Sequence, residues 1–145
     1  MLHHLLSCLS AGPTLEVLCE IAALRERWDE APGLVAAARE ETEVGEQLSL
    51  PPFTDRLEGR AAYAEGEVTT ATELLARSAE GFAAIDARWE EAWSRLLVAE
   101  AVAGSDGRRA ERELAAALPV FERLGSIGEV QRARALRVEV AAQAG

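Results

Sequence analysis

The sequence predicts an all-α fold, a right-handed α-α superhelix of antiparallel helix pairs with about seven helices in a single domain over residues 1–145. Three observations predict it. Alanine, the best helix former, fills 29 of the 145 positions, while aromatic residues make up only 5%. No stretch shows the strict apolar–polar alternation of a half-buried strand. A short phrase also recurs: Trp28-Asp29-Glu30-Ala31, Val68-Thr69-Thr70-Ala71 and Gly107-Arg108-Arg109-Ala110 each lead into a helix-like stretch at an alanine. The alanines lie 40 and then 39 residues apart, followed by Val35 and Ala38, Leu75 and Ser78, and Leu114 and Ala117 at helical spacing. A fixed period in this range marks stacked helix pairs that bury their apolar faces against one another.

The elements follow in order, with units at about 14–45, 53–86 and 87–125 and a closing helix over 127–143. Thr14, after Gly12-Pro13, is a suitable N-cap for a first helix carrying Val17, Leu18, Ile21 and Leu24. A second helix runs from Trp28 or Asp29 to Glu43. Pro51-Pro52 predicts a break over 45–52, with Thr54 capping a third helix that carries Leu57, Ala61 and Tyr63 and ends near Gly66. Val68, Ala71, Leu75, Ser78, Phe82 and Ile85 step by three and four along a fourth helix. The fifth places Trp89, Trp93, Leu96 and Leu97 on one side. Gly104-Ser105-Asp106-Gly107 supplies a turn and a cap for the sixth, which carries Leu114, Leu118 and Phe121 and stops at Gly125. Pro119 inside it predicts a kink. Residues 127–143 close the stack.

Composition removes several chemistries. The chain has no lysine and no asparagine, and its two histidines are His3 and His4. A phosphate-binding P-loop, a Schiff-base lysine and a histidine-based triad therefore have no residues to build them, short of the terminal imidazoles. The net charge of −10 opposes direct nucleic-acid binding. Residues 1–72 carry −8 of it, with 5 arginines against 13 acids. No apolar run approaches a membrane span, and Met1–Ser10 lacks the cationic start of a secretory signal. Cys8 and Cys19 lack CxxC spacing and fit a reducing cytoplasm. His3, His4 and Cys8 supply too few ligands for a metal, and no cofactor is expected.

Around Trp28-Asp29-Glu30-Ala31, and at Tyr63-Ala64-Glu65-Gly66 leading to Ala71, the chain resembles tetratricopeptide repeats in extended form. In that family a small residue ends the first helix of a unit, and an early alanine of the second packs beneath it. Leu118-Pro119-Val120-Phe121-Glu122-Arg123-Leu124-Gly125 resembles the repeat tails of bacterial cyclase-linked or ATP-driven transcriptional regulators. The resemblance implies a concave binding face on the first helix of each unit. Counting back from each alanine assigns Glu16, Glu20 and Ala23, then Arg56, Arg60 and Tyr63, then Arg95, Ala99 and Val102 to it. Some members clamp a C-terminal carboxylate with lysine and asparagine there. This chain has neither, but arginine pairs bidentately with a carboxylate.

Arg56, Arg60 and Arg95 are thus expected to form a cationic patch for an acidic segment of a partner, with Tyr63, Ala99 and Val102 beside it. The alternative is that they pair with Glu20, Glu58 or Glu91 on a solvated face, each pair worth about 0–1 kcal/mol. Trp89 and Trp93 share one helix face, as core or as interface. The function expected is a non-catalytic protein–protein interaction module in cytoplasmic bacterial signalling or transcriptional regulation, able to form a homodimer through an uncapped end. The alternative is a small-molecule effector-sensing repeat domain with a closed cavity lined by Trp89, Trp93 and Tyr63.

Overall fold

The computed structural model describes residues 11–44 and 50–144. His3, His4, Cys8 and the 45–49 part of the expected break lie outside them. Seven α-helices and no strand occur among the described residues: α1 (Ala11–Leu24), α2 (Ala31–Val44), α3 (Leu50–Ala64), α4 (Val68–Ala84), α5 (Arg88–Val102), α6 (Gly107–Leu124) and α7 (Ile127–Ala144). One 3-10 turn, Trp28–Glu30, leads into α2. Each helix packs on the next, and α1 also packs on α3, so the chain builds its core by stacking.

The recurring alanines sit where close approach is needed. Ala31, Ala71 and Ala110 are buried, and so are Val35, Ala38, Leu75, Ser78, Leu114 and Ala117 behind them. A larger side chain at these positions would hold neighbouring helices apart. Gly59 marks the tightest approach. A Cβ there would stand 2.8 Å from Leu75 Cγ and 3.2 Å from Leu74 Cβ, with Leu75 itself buried. Overpacking of this kind costs about 1–3 kcal/mol, against about 1 kcal/mol gained in helix propensity. Gly59→Ala is therefore expected to lower stability by about 1 kcal/mol in urea unfolding. An unchanged or raised midpoint would remove the close contact as the reason for glycine.

Four helix ends share one device. The amide of Arg27 donates to the Ala22 carbonyl, Glu67 to Ala62, Ala87 to Phe82 and Ser126 to Phe121, at 2.8–2.9 Å. The residue before each donor is left-handed: Glu26 (φ 54°), Gly66 (φ 82°), Asp86 (φ 58°) and Gly125 (φ 70°). This six-to-one bond satisfies the last carbonyls and reverses the chain in few residues. The α5–α6 connection differs. It is one residue longer than the α3–α4 connection, and Asp106 N donates to the Val102 carbonyl at 2.7 Å instead. Asp106 then caps α6, its carboxylate accepting from Arg109 N at 3.1 Å.

Two boundaries differ from expectation. The helix α1 already includes Ala11, the first described residue, so Thr14 lies inside the helix and does not cap its start. Pro51-Pro52 lie inside α3, near Leu50, its first described residue, in place of breaking the chain. Proline suits a first turn, whose amides have no helical acceptor in any case. Thr54 accordingly lies inside α3, donating its hydroxyl to the Pro51 carbonyl at 2.8 Å. The helix α6, by contrast, carries Pro119 inside it and stops at its cap Gly125 as expected, with that proline exposed.

Candidate functional site

On α3, residues 56, 60, 63 and 64 fall on one face by helical spacing, and this face carries two arginines with opposite fates. Arg56 is fully buried. Its Nη2 lies 2.8 Å from Glu20 Oε1 of α1 and 2.6 Å from Glu90 Oε2 of α5. Its Nη1 donates to Ser94 Oγ at 3.3 Å and to the Glu90 carbonyl at 3.4 Å. Phe53 and Phe82 cover the guanidinium at 5.1 and 5.0 Å from their ring centres. Ser94 Oγ in turn meets Ser78 Oγ of α4 at 2.9 Å, and Ser78 donates to the Pro52 carbonyl at 2.8 Å. Arg56 is a saturated structural tie between α1, α3 and α5.

One turn on, Arg60 is half-buried and makes no hydrogen bond or ion pair to another described residue. Its Nη1 is fully buried without a partner. The guanidinium lies 5.9 Å from the Trp28 ring centre and 5.8 Å from that of Trp93, and Arg132 of α7 sits 5.0 Å from Trp93. Trp28, Arg60, Trp93 and Arg132 thus form a row of alternating indoles and cations. Burial pulls the Arg60 pKa below its ordinary value, the charges of Arg132 and Arg56 adding to this and those of Glu20 and Glu100 opposing it.

The row lies along a groove of about 340 Å³ lined by Glu26, Trp28, Arg60, Tyr63, Leu97, Glu100 and Arg132, with Leu75 and Ala64 completing it. Tyr63 is 47% exposed at its rim. Arg132 is neutralised by Glu100, its Nη2 bonding Oε1 at 2.6 Å. Glu26, one of the two described non-glycine residues in the left-handed region, stands at the mouth of the groove. A wider cleft between α6 and α7, of about 660 Å³, contains Arg137 and Glu111, which bond each other at 2.8 Å. The groove combines concavity with an unpaired, largely desolvated cation among the described residues.

The expected patch is divided by the structure. Arg60 and Tyr63 meet in the groove; Arg56 is enclosed beside it, and Ala99 and Val102 are buried in the core. Arg95 faces elsewhere, held by Glu91 at 2.7 Å and by Glu113 of α6 at 3.2 Å. Partial burial works against its charge, but these two carboxylate bonds outweigh that and raise its pKa. The residues of α5 that line the groove are Leu97 and Glu100, on one row with the buried Trp93 beneath Arg60, each two positions before the residue expected. Two positions are about 200° around a helix. The cause is the longer α5–α6 connection together with one further helical residue between the row and the helix end, across which counting back from Ala110 loses phase.

No family model, curated protein or solved structure matches this chain.

Among the residues that line the groove, Glu26, Trp28, Leu97, Glu100 and Arg132 lie outside the expected set. Trp93, Leu97 and Glu100 have the same four-and-three spacing as Arg56, Arg60 and Tyr63, but so do the expected Arg95, Ala99 and Val102, so spacing alone could not separate the two rows. Trp93 is buried, and Trp89 is half-buried, its indole N–H donating to Ser126 Oγ at 3.0 Å. The two rings stack at 6.1 Å and Trp89 meets Phe121 edge-on at 6.1 Å. Arg95→Gln is expected to cost under about 1 kcal/mol in urea unfolding, because its pairs are partly exposed. A loss above about 2 kcal/mol would make Arg95 a structural tie like Arg56.

Proposed function

We propose that the chain is a tetratricopeptide-like, non-catalytic interaction module that takes a peptide segment of a partner protein into the groove along Arg60. The observation that carries the reading is the unpaired Arg60 guanidinium, held between two indoles at an open, half-apolar groove. Aromatic and arginine side chains of this kind dominate binding energy at protein interfaces. A second observation supports the repeat assignment: the alanines at a period of 39–40 are buried in every unit. A role in cytoplasmic bacterial signalling or transcriptional regulation belongs to the same proposal. Exposed Val17, Ile21 and Leu24 run along one face of α1 and favour self-association at that end.

The test compares capture of partner proteins by wild type with Arg60→Glu, with Ala64→Trp, which fills the groove, and with Arg95→Glu as a control on another face. The reading expects both groove variants to lose the captured protein and the control to keep it. Capture that survives both groove variants would overturn it. Light scattering of wild type and Ile21→Glu checks self-association, which the variant should abolish.

A further inference from the structure

The cationic character of the groove comes down to one guanidinium. Of the arginines expected in a patch, Arg56 is saturated by Glu20 and Glu90, and Arg95 is bound by Glu91 and Glu113 on another face. Arg132, which lies in the groove, is bound through two nitrogens by Glu100. The lining holds two cations, Arg60 and Arg132, and two acids, Glu26 and Glu100, so its formal charge is zero before a ligand arrives. A first anionic group meets the Arg60 guanidinium, whose buried Nη1 has no partner and which forms no ion pair with a described residue. A second one, or a doubly charged group, meets Glu100 and Glu26 with no free cation to offset them.

The surroundings of the donor define the rest of the ligand. Trp28 and Trp93 flank the guanidinium with ring centres 5.9 and 5.8 Å away, and Leu75, Leu97 and Ala64 give the groove an apolar side. Arg60 keeps its fork of donors, which matches the planar two-oxygen geometry of a carboxylate. We infer that the groove recognises a single, isolated carboxylate flanked by apolar or aromatic side chains on a peptide, and discriminates against runs of acids and against phosphate. This rests on the proposed peptide-binding reading and adds the chemistry that the peptide must carry.

The experiment titrates the whole chain with four probes, followed by tryptophan fluorescence and by the Arg60 side-chain NMR signal. The probes are a blocked Leu-Glu-Phe tripeptide, its Leu-Gln-Phe counterpart, a blocked tri-glutamate and inorganic phosphate. The single-glutamate peptide should bind about tenfold or more tighter than the glutamine peptide, as charge-assisted pairing to a desolvated donor requires. Tri-glutamate and phosphate should bind more weakly than the single-glutamate peptide. Arg60→Gln should erase the glutamate preference, and Arg60→Lys, which keeps the charge without the fork, should retain part of it; circular dichroism checks that both are folded. Equal affinity for the glutamine peptide, tighter binding of tri-glutamate or phosphate, or no binding of any probe would overturn the inference. The two ideas fail separately: if Ala64→Trp abolishes partner capture while the glutamate preference is absent, the groove is the binding site but not a carboxylate receptor.

Discussion

Arg56→Ala is expected to cost about 3–4 kcal/mol in urea unfolding, among the largest losses of any single substitution in this chain. Arg56 is fully enclosed, and its removal leaves Glu20 and Glu90 without the cation they share. It also leaves Ser94 short of a donor and opens a void between Phe53 and Phe82. Breaking one side of a buried ion network typically costs about 3–5 kcal/mol, because the remaining charges are stranded. The lower part of that range applies here, since the side chains of Glu20 and Glu90 keep 30% and 29% exposure overall, although the Glu90 Oε2 facing Arg56 is itself buried. A diagnostic second variant removes the stranded charges as well. Arg56→Met with Glu20→Gln and Glu90→Gln should recover more than half the loss, as replacement of a whole buried network by neutral groups often does. A loss under about 1 kcal/mol for Arg56→Ala, the value of a surface pair, would show that the tie contributes little.

The same residue shows what the sequence could and could not convey. Helix existence was legible because apolar residues recur at helical spacing, and Ala31, Ala71 and Ala110 mark the buried phase of every second helix. The start of α3 was not, because Pro51-Pro52 reads equally as a break and as a first turn. What decides is whether Leu50 has a pocket to fill, and Leu50 is buried against Leu15 and Ala38. The arginines share one spacing but not one environment. Arg56, Arg60 and Arg95 are chemically identical, and their fates depend on which carboxylates other helices bring to them. Glu20 arrives from α1 and Glu113 from α6, whereas Arg60 receives two indoles and no carboxylate. Partner choice of this kind is tertiary and leaves no local trace. The slip from Trp93 to Arg95 is of another sort: one extra residue in the connection and one more at the helix end each rotate everything counted across them by about 100°, which together make the two-position slip.

Trp93→Ala should match or exceed the Arg56 loss, at about 3–5 kcal/mol, and should disable the groove as well. Trp93 lies in the buried cluster formed with Leu96, Leu97, Phe121 and Leu136, so truncation leaves a large void among residues of α5, α6 and α7. Its ring is also what Arg60 and Arg132 lie against. Without it the Arg60 guanidinium keeps only Trp28 beside it, and the donor that defines the groove is no longer held in place. Trp89→Ala provides the contrast. Trp89 is half-buried, stacks on Trp93 and donates to Ser126, but touches neither arginine. Its loss should cost about 2 kcal/mol and leave the glutamate preference of the groove intact. Because Trp93→Ala is apt to unfold the chain, Trp93→Phe separates the two roles. A phenyl ring refills part of the void at a cost of about 1–2 kcal/mol while presenting a weaker face to the cations. The folded Trp93→Phe protein should therefore bind the single-glutamate peptide less tightly than wild type, whereas Trp89→Ala should not. If Trp93→Phe keeps wild-type affinity while Trp89→Ala loses it, the recognition element is the stacked tryptophan pair and not the row of alternating indoles and cations.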